Sequence, residues 1–370
     1  MSAADFILHP DFKLNGLQFG SNEELMHFAD DLQREGDPHE ESMGRFLESW
    51  LDFNETLPVH TSGSTGEPKR IELEKFRMIN SAKATGSYFK LGPGTSALLC
   101  LSPDFIAGKM MLVRAMVLGW DLHVVAPERD ALVQYDNDYD FVAMVPYQLT
   151  YSIEALAKVR KLIVGGSAVP ESLVDRLQDL PTEVFATYGM TETITHVAVR
   201  RLNGFARSDH YTALPGVKFR TDEQDRLIIE APQIMAAPLR TNDQVELVSP
   251  TSFRWMGRSD NVINSGGIKI NPEHLEQKLN RYIDNRLVVT SQPDEVLGER
   301  VVLAIENPSG EDIIGLGTAM EKLGKYERPK KIFTLSRFPL TENGKIKRAT
   351  IRELLRRHQG FIPTSDEEED

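Results

Sequence analysis

The sequence predicts an α/β fold in two parts, a large α/β domain over residues 1–259 and a small α+β domain over residues 260–358. Three observations predict it. Short β-rich runs alternate with helical stretches through the first part, and after about residue 260 the texture changes to smaller units. The chain has 370 residues, 41% of them hydrophobic and 26% charged, which is more than one core usually holds and enough for a well-buried interior.

Strands are expected at 96–101, 122–126, 141–145, 161–164 and 183–187, separated by stretches of helical character. Helices are expected at 76–88 and at 171–179, where Pro170 suits a first helical turn. In the second part, residues 272–283 place Leu275, Leu279, Tyr282 and Ile283 at helical spacing, a stripe made to pack on a sheet. Strands at 286–290, 301–305 and 331–335 and a final helix at 349–357 complete a compact unit. No repeat of fixed period is present.

Charge narrows the partners. Lys and Arg number 42 against 55 Asp and Glu, a formal charge of −13, which offers no basic field for nucleic acid. The last residues, 359–370, end in Ser-Asp-Glu-Glu-Glu-Asp and are expected to form a disordered acidic tail. Cys100 is the sole cysteine, so no internal disulfide or cysteine metal cluster is possible, and a reducing cytoplasm fits best. The N-terminus lacks a basic segment followed by an apolar core, and Met110 to Trp120 is interrupted by Arg114 and too short to span a membrane. The reading is a soluble protein with no membrane partner and no targeting signal, and composition leaves a homo-oligomer open.

The segment Thr61-Ser-Gly-Ser-Thr-Gly-Glu-Pro-Lys69 crowds hydroxyls, glycines and a lysine into nine positions. Gly63 and Gly66 free the backbone to turn amides toward an anion, Ser62, Ser64 and Thr65 add donors, and Lys69 adds charge. It is not a Walker loop, because no Gly-Lys-Ser/Thr follows. Read alone it is also what a flexible polar turn looks like. Further on stand Gly165-Gly166-Ser167-Ala168-Val-Pro170, Tyr188-Gly189-Met190-Thr191-Glu192-Thr193, Thr241-Asn-Asp243, Gly257-Arg258-Ser-Asp260 running into Ser265-Gly266-Gly267, and Pro339-Leu-Thr-Glu-Asn-Gly-Lys345. Each has a plain reading as a turn or a helix start.

Taken together and in this order, these motifs resemble those of the adenylate-forming superfamily, which contains acyl-CoA synthetases, nonribosomal peptide adenylation domains and luciferases. The resemblance covers roughly residues 57–357. It implies an ATP-dependent carboxylate:CoA ligase that makes an acyl-adenylate and then a thioester, with ATP, Mg²⁺ and coenzyme A as its small-molecule partners. It also implies roles: the 61–66 loop and Lys69 on phosphate, Gly166, Ser167 and Ala168 beside adenine, Tyr188, Gly189 and Met190 around its ring, Thr191 on the α-phosphate and Glu192 on the metal. Asp243 is implied at the ribose, Arg258 at the nucleotide, Asp260 as the hinge of a mobile small domain, Gly266 and Gly267 in the coenzyme A channel, and Lys345 as the adenylation lysine. Asn242 stands where the family usually has glycine, and a left-handed conformation is expected there, since asparagine tolerates it.

The phosphate loop begins at residue 61, earlier than in most members, which implies an N-terminal domain abbreviated at its start within a multi-sheet α/β architecture. This short form, with Tyr-Gly-Met-Thr-Glu-Thr and Val-Ile-Asn-Ser-Gly-Gly, is most similar to the o-succinylbenzoate:CoA ligases of menaquinone biosynthesis. An aryl dicarboxylate needs a cation or donors for its second carboxylate, for which Lys109, Arg114, Thr195 and His196 are candidates. Another aryl- or fatty-acyl-CoA ligase shares every nucleotide motif, and a non-catalytic nucleotide-binding regulator is the reading from a different class.

Overall fold

A computed structural model describes residues 8–60, 70–341 and 346–357. Its large part is built on a 13-stranded sheet. Parallel pairing runs from Glu183–Gly189 through Val159–Val164, Tyr139–Met144, Ser96–Leu99 and Asp121–Val124 to Lys13–Leu14. From His196–Arg201 onward the pairing is antiparallel, through Tyr211–Ala213, Ser252–Arg258, Leu239–Ser249, Arg226–Glu230 and Lys218–Thr221. A separate two-stranded ribbon pairs Thr56–His60 with Arg70–Glu74, the strands on either side of the Ser/Thr/Gly-rich segment 61–69 in the chain.

The parallel strands are apolar on both faces, as strands covered on two sides must be. Successive residues serve different cores. Ala97, Leu99, Phe141, Ala143 and Ile163 point to one side, where helices Asn22–Glu35, Pro38–Leu51, Lys75–Phe89 and Ile106–Leu118 pack. Leu98, Cys100, Val142, Met144, Leu162 and Val164 point to the other, under helices Pro146–Ser152 and Glu171–Arg176. Burial pushes the Cys100 thiol up to about 12, so this cysteine is a core residue with no thiolate character.

The second part has cores of its own. Strands Leu287–Asp294 and Gly298–Glu306 alternate in the same way, with Leu287, Val289, Val301 and Leu303 facing helices Pro272–Leu279 and Leu316–Glu321, and Val288, Val302 and Ala304 facing helix Arg348–Arg357. Asn271 starts the 272–279 helix by accepting from the amides of Glu273 and His274 at 3.1 and 3.2 Å. That helix ends at Leu279, short of the expected Ile283, although Ile283 still reaches the core. Among the described residues no helix is long and apolar enough to cross a membrane.

Candidate active site

In open α/β sheets ligands gather beyond the carboxyl ends of parallel strands, and the motif loops of this chain lie there. Residues 165–168 follow Val159–Val164, and residues 190–193 follow Glu183–Gly189. Gly166 has a φ of +89°, which favours glycine, and Gly189 leaves no space for a side chain. A Cβ on Gly189 would lie 2.3 Å from the Thr195 carbonyl oxygen and 2.6 Å from His196 Cα.

Thr191–Thr193 forms a single turn of 3₁₀ helix that leaves the Glu192 carboxylate exposed, while the Thr193 hydroxyl accepts from the Met190 amide at 2.9 Å. Among the described residues Glu192 has no basic partner, so a hard oxygen is free for a cation whose other ligands are phosphate and water. No cluster of three metal-ligating side chains occurs among the described residues. Ile194 then takes φ 66° and ψ −60°, and the Thr195 amide reaches the Thr193 carbonyl at 2.7 Å. This is the rare positive-φ γ-turn, strained for a β-branched residue and held by complete burial of the isoleucine side chain.

Asp243 sits opposite Arg258 in the 239–249 and 252–258 ladder and is almost fully buried. Its carboxylate accepts from the Tyr188 hydroxyl at 2.6 Å and from Trp255 Nε1 at 3.1 Å. Burial, and then the Asp243 charge, push the Tyr188 hydroxyl well above its ordinary range, so it stays a neutral donor. The Tyr188 ring packs edge-on against Phe253 and tilted to Tyr211, centroids at 5.0 and 5.7 Å. The left-handed conformation expected of Asn242 is not adopted: it lies inside the extended 239–249 strand, because its carbonyl closes the last rung with the Ser259 amide at 2.7 Å. Just beyond that rung Arg258 grips Asp260 through two bonds, Nε to Oδ1 at 2.9 Å and Nη2 to Oδ2 at 2.6 Å.

A cleft of about 2050 Å³ separates the two parts. Gly166, Ser167, Ala168, Arg258 and Asp260 line one wall, and Glu273, Glu276, Arg348 and Arg352 line the other. Glu276 is buried and takes Arg348 as its ion partner together with the Val289 amide at 2.7 Å, and Arg352 pairs with Glu299, whereas the buried Glu273 has one carboxylate oxygen without a partner. Gly266 and Gly267 are not among the residues that line the cleft; Gly267 has nothing within 4 Å of a built Cβ. The sequence-derived candidates Thr61, Ser62, Gly63, Ser64, Thr65, Gly66, Lys69 and Lys345 lie outside the described residues.

Of the acid-pocket candidates, three come together. Arg114 Nη2 donates to Thr195 Oγ1 at 3.3 Å and lies 3.5 Å from His196 Nδ1, and the far nitrogen of His196 is 3.5 Å from the Thr85 hydroxyl. Arg114 is 1% exposed, its Nε has no partner, and burial draws its guanidinium down to about 9. Burial and the adjacent Arg114 charge hold His196 well below its usual range, hence neutral. No carboxylate among the described residues pairs with Arg114. Lys109 is not part of this group: it turns back to the Pro103 carbonyl at 2.5 Å and lies over the Phe46 ring, one helical turn and a half away, because its position faces the start of its own helix. Trp255 was not recognisable as a site residue, since only the strand pairing brings it to Asp243.

Residues 55–224 match the AMP-binding enzyme family. The crystal structure of an acyl-CoA synthetase (AMP-forming)/AMP-acid ligase II-like protein from Dyadobacter fermentans is 38% identical, with a TM-score of 0.59, covering 89% of this chain and 98% of that one. The chain belongs to the AMP-binding enzyme family. The 2-succinylbenzoate–CoA ligase of Lactococcus lactis is 25% identical to this AMP-binding enzyme over 317 residues, which are 80% of this chain and 70% of the relative. The o-succinylbenzoate CoA synthetase of Bacillus subtilis, solved with its acyl-adenylate intermediate, shares the fold at a TM-score of 0.69 and 20% identity, covering 82% of this chain and 69% of that one.

Proposed function

We propose that this AMP-binding enzyme is an ATP-dependent acid:CoA ligase whose acid is an aryl dicarboxylate of the o-succinylbenzoate kind. The observation that carries the choice of acid is Arg114. A guanidinium buried without a carboxylate is costly to hold, and a ligand carboxylate accounts for its presence at the end of the sheet where ligands bind. Thr195 and the neutral His196 hold it in place, and the name of the Lactococcus lactis relative points to the same acid.

In this reading residues 1–259 bind acid and nucleotide, residues 260–358 form a domain that swings about Asp260, and 359–370 is a tail. The acid's carboxylate oxygen attacks the α-phosphorus of ATP and pyrophosphate leaves; the thiol of coenzyme A then attacks the acyl carbon and AMP leaves. Two anions must meet in the first step, so the loop 61–66, Lys69, Thr191 and Lys345 supply donors and charge at the phosphates. Glu192 holds Mg²⁺, which screens phosphate charge when bound. Asp243 offers its remaining lone pairs to the ribose hydroxyls, having used two for Tyr188 and Trp255. Gly266 and Gly267, which stand outside the present cleft, face the thioester step only after the small domain turns.

Acid-dependent ATP–pyrophosphate exchange, followed by thioester formation with coenzyme A, tests this directly. Exchange with o-succinylbenzoate and not with fatty or monocarboxylic aryl acids is the expected result. Exchange with those acids and indifference to o-succinylbenzoate would make the chain a ligase for another acid.

A further inference from the structure

Arg258 and Asp260 are two residues apart, yet their side chains form a two-point ion pair in the wall of the cleft. The backbone between them is clamped: the Ser259 amide and hydroxyl both donate to the Asn242 carbonyl, at 2.7 and 3.0 Å. Only the side chains are therefore free to answer a ligand. Asp243, the Cα partner of Arg258 across the ladder, is where the ribose of the proposed nucleotide would be held, so the guanidinium lies beside an anionic ligand. A carboxylate chelated to that guanidinium cancels its charge and occupies the donors that an anionic ligand would use.

We propose that Asp260 is a charge brake on nucleotide binding: its carboxylate, held on Arg258, lowers the affinity of the site for ATP and for AMP. Asp260 acts through Arg258 as a positioning residue and touches no reacting atom. The inference rests on the reading of Asp243 and Arg258 as nucleotide ligands. Its consequence is a product that is released rather than retained, since the same pair opposes ATP on entry and favours the departure of AMP. Both partners are about one-third exposed, 38% and 36%, so the effect is modest.

Calorimetric titration of the full chain with ATP and with AMP tests the brake. D260N and D260S are expected to bind both nucleotides about 2- to 5-fold more tightly than the unaltered chain, the range that an exposed two-point pair supports. R258A weakens binding, and in R258A/D260N the gain from losing the carboxylate disappears, which a change of hinge stiffness alone would not produce. Unchanged or weaker binding in D260N and D260S, or the same gain on the R258A background, overturns the brake. Failure of the unaltered chain to bind ATP overturns the proposed function itself, which keeps the two failures distinct.

Discussion

The proposed nucleotide end of the cleft and the proposed acid site around Arg114 handle charge in opposite ways. Around the proposed nucleotide site guanidinium groups in the wall are answered by carboxylates: Arg258 has Asp260, Arg348 has Glu276 and Arg352 has Glu299. In the proposed acid site Arg114 has a hydroxyl, an imidazole and a thioether but, among the described residues, no anion. A site that serves one invariant ligand can be neutral at rest, because the ligand brings its own cation. A site that must choose one acid among many holds an unanswered charge in reserve, and every acid that cannot answer it is penalised.

The comparison breaks first at Lys345. Lys345→Ala is expected to slow adenylation on the order of 10²–10³-fold while leaving transfer to coenzyme A from supplied acyl-adenylate near its normal rate. Single-turnover assays of the two half-reactions check this, and equal loss in both would remove the lysine from the nucleotide end. Gly189→Ala strikes where the two regions share backbone. Its Cβ has no room beside Thr195 and His196, and a loss of about 3 kcal/mol in unfolding free energy is expected by chemical denaturation.

Arg114→Met sharpens the contrast further. Replacing a buried charge that has no partner by an apolar side chain of similar length should leave the melting temperature unchanged or raise it. The same change should cut kcat/KM for a dicarboxylic acid roughly 10- to 150-fold, the value of one charge-assisted bond of about 1.5–3 kcal/mol. A fall in both quantities together would mean that Arg114 is only a structural residue. The smallest effect concerns acid. Because His196 is held below its usual range when folded, the unfolded chain takes up a proton first as the pH falls through about 6.5. Stability contributed by neutral His196 is complete above that pH and is lost below it, by up to about 1.4 kcal/mol per pH unit. Melting curves between pH 7 and pH 5 should show a shallower decline in His196→Asn than in the unaltered chain.

The family was legible because its motifs are contiguous, and residues 165–168 and 190–193 follow strands that were expected from the sequence. The parallel strands were legible for a related reason, as runs buried on both faces show apolar residues without interruption, and Lys331–Leu335 lies where the sequence puts it. Helix Ile106–Leu118 was not predicted. It is buried nearly all round, from Gly108 through Met116, and so has no polar face to mark a period. That is also why the acid pocket was only half legible. Arg114 stands out as a charge within an apolar run, but nothing in the run says that it reaches residues 195 and 196 while Lys109 turns away. The antiparallel strands that carry Asp243, Trp255 and Arg258 escaped prediction because their partners are set by register across the sheet and not by neighbours in the chain.

The strained turn at Ile194 ties the two regions to one another. Glu192 and Thr195 are joined through only two residues, Thr193 and Ile194, and the backbone of Ile194 is forced into a conformation costing on the order of 1–3 kcal/mol while its side chain is locked in the core. On the proposed roles of these residues, preference for the acid and handling of the metal are thus inherited together. A lineage that drifts toward a new substrate by altering Thr195 or His196 also shifts the footing of Glu192, whereas changes on the 106–118 helix leave that footing alone. Diversification, natural or in the laboratory, should therefore proceed through the helix that bears Arg114.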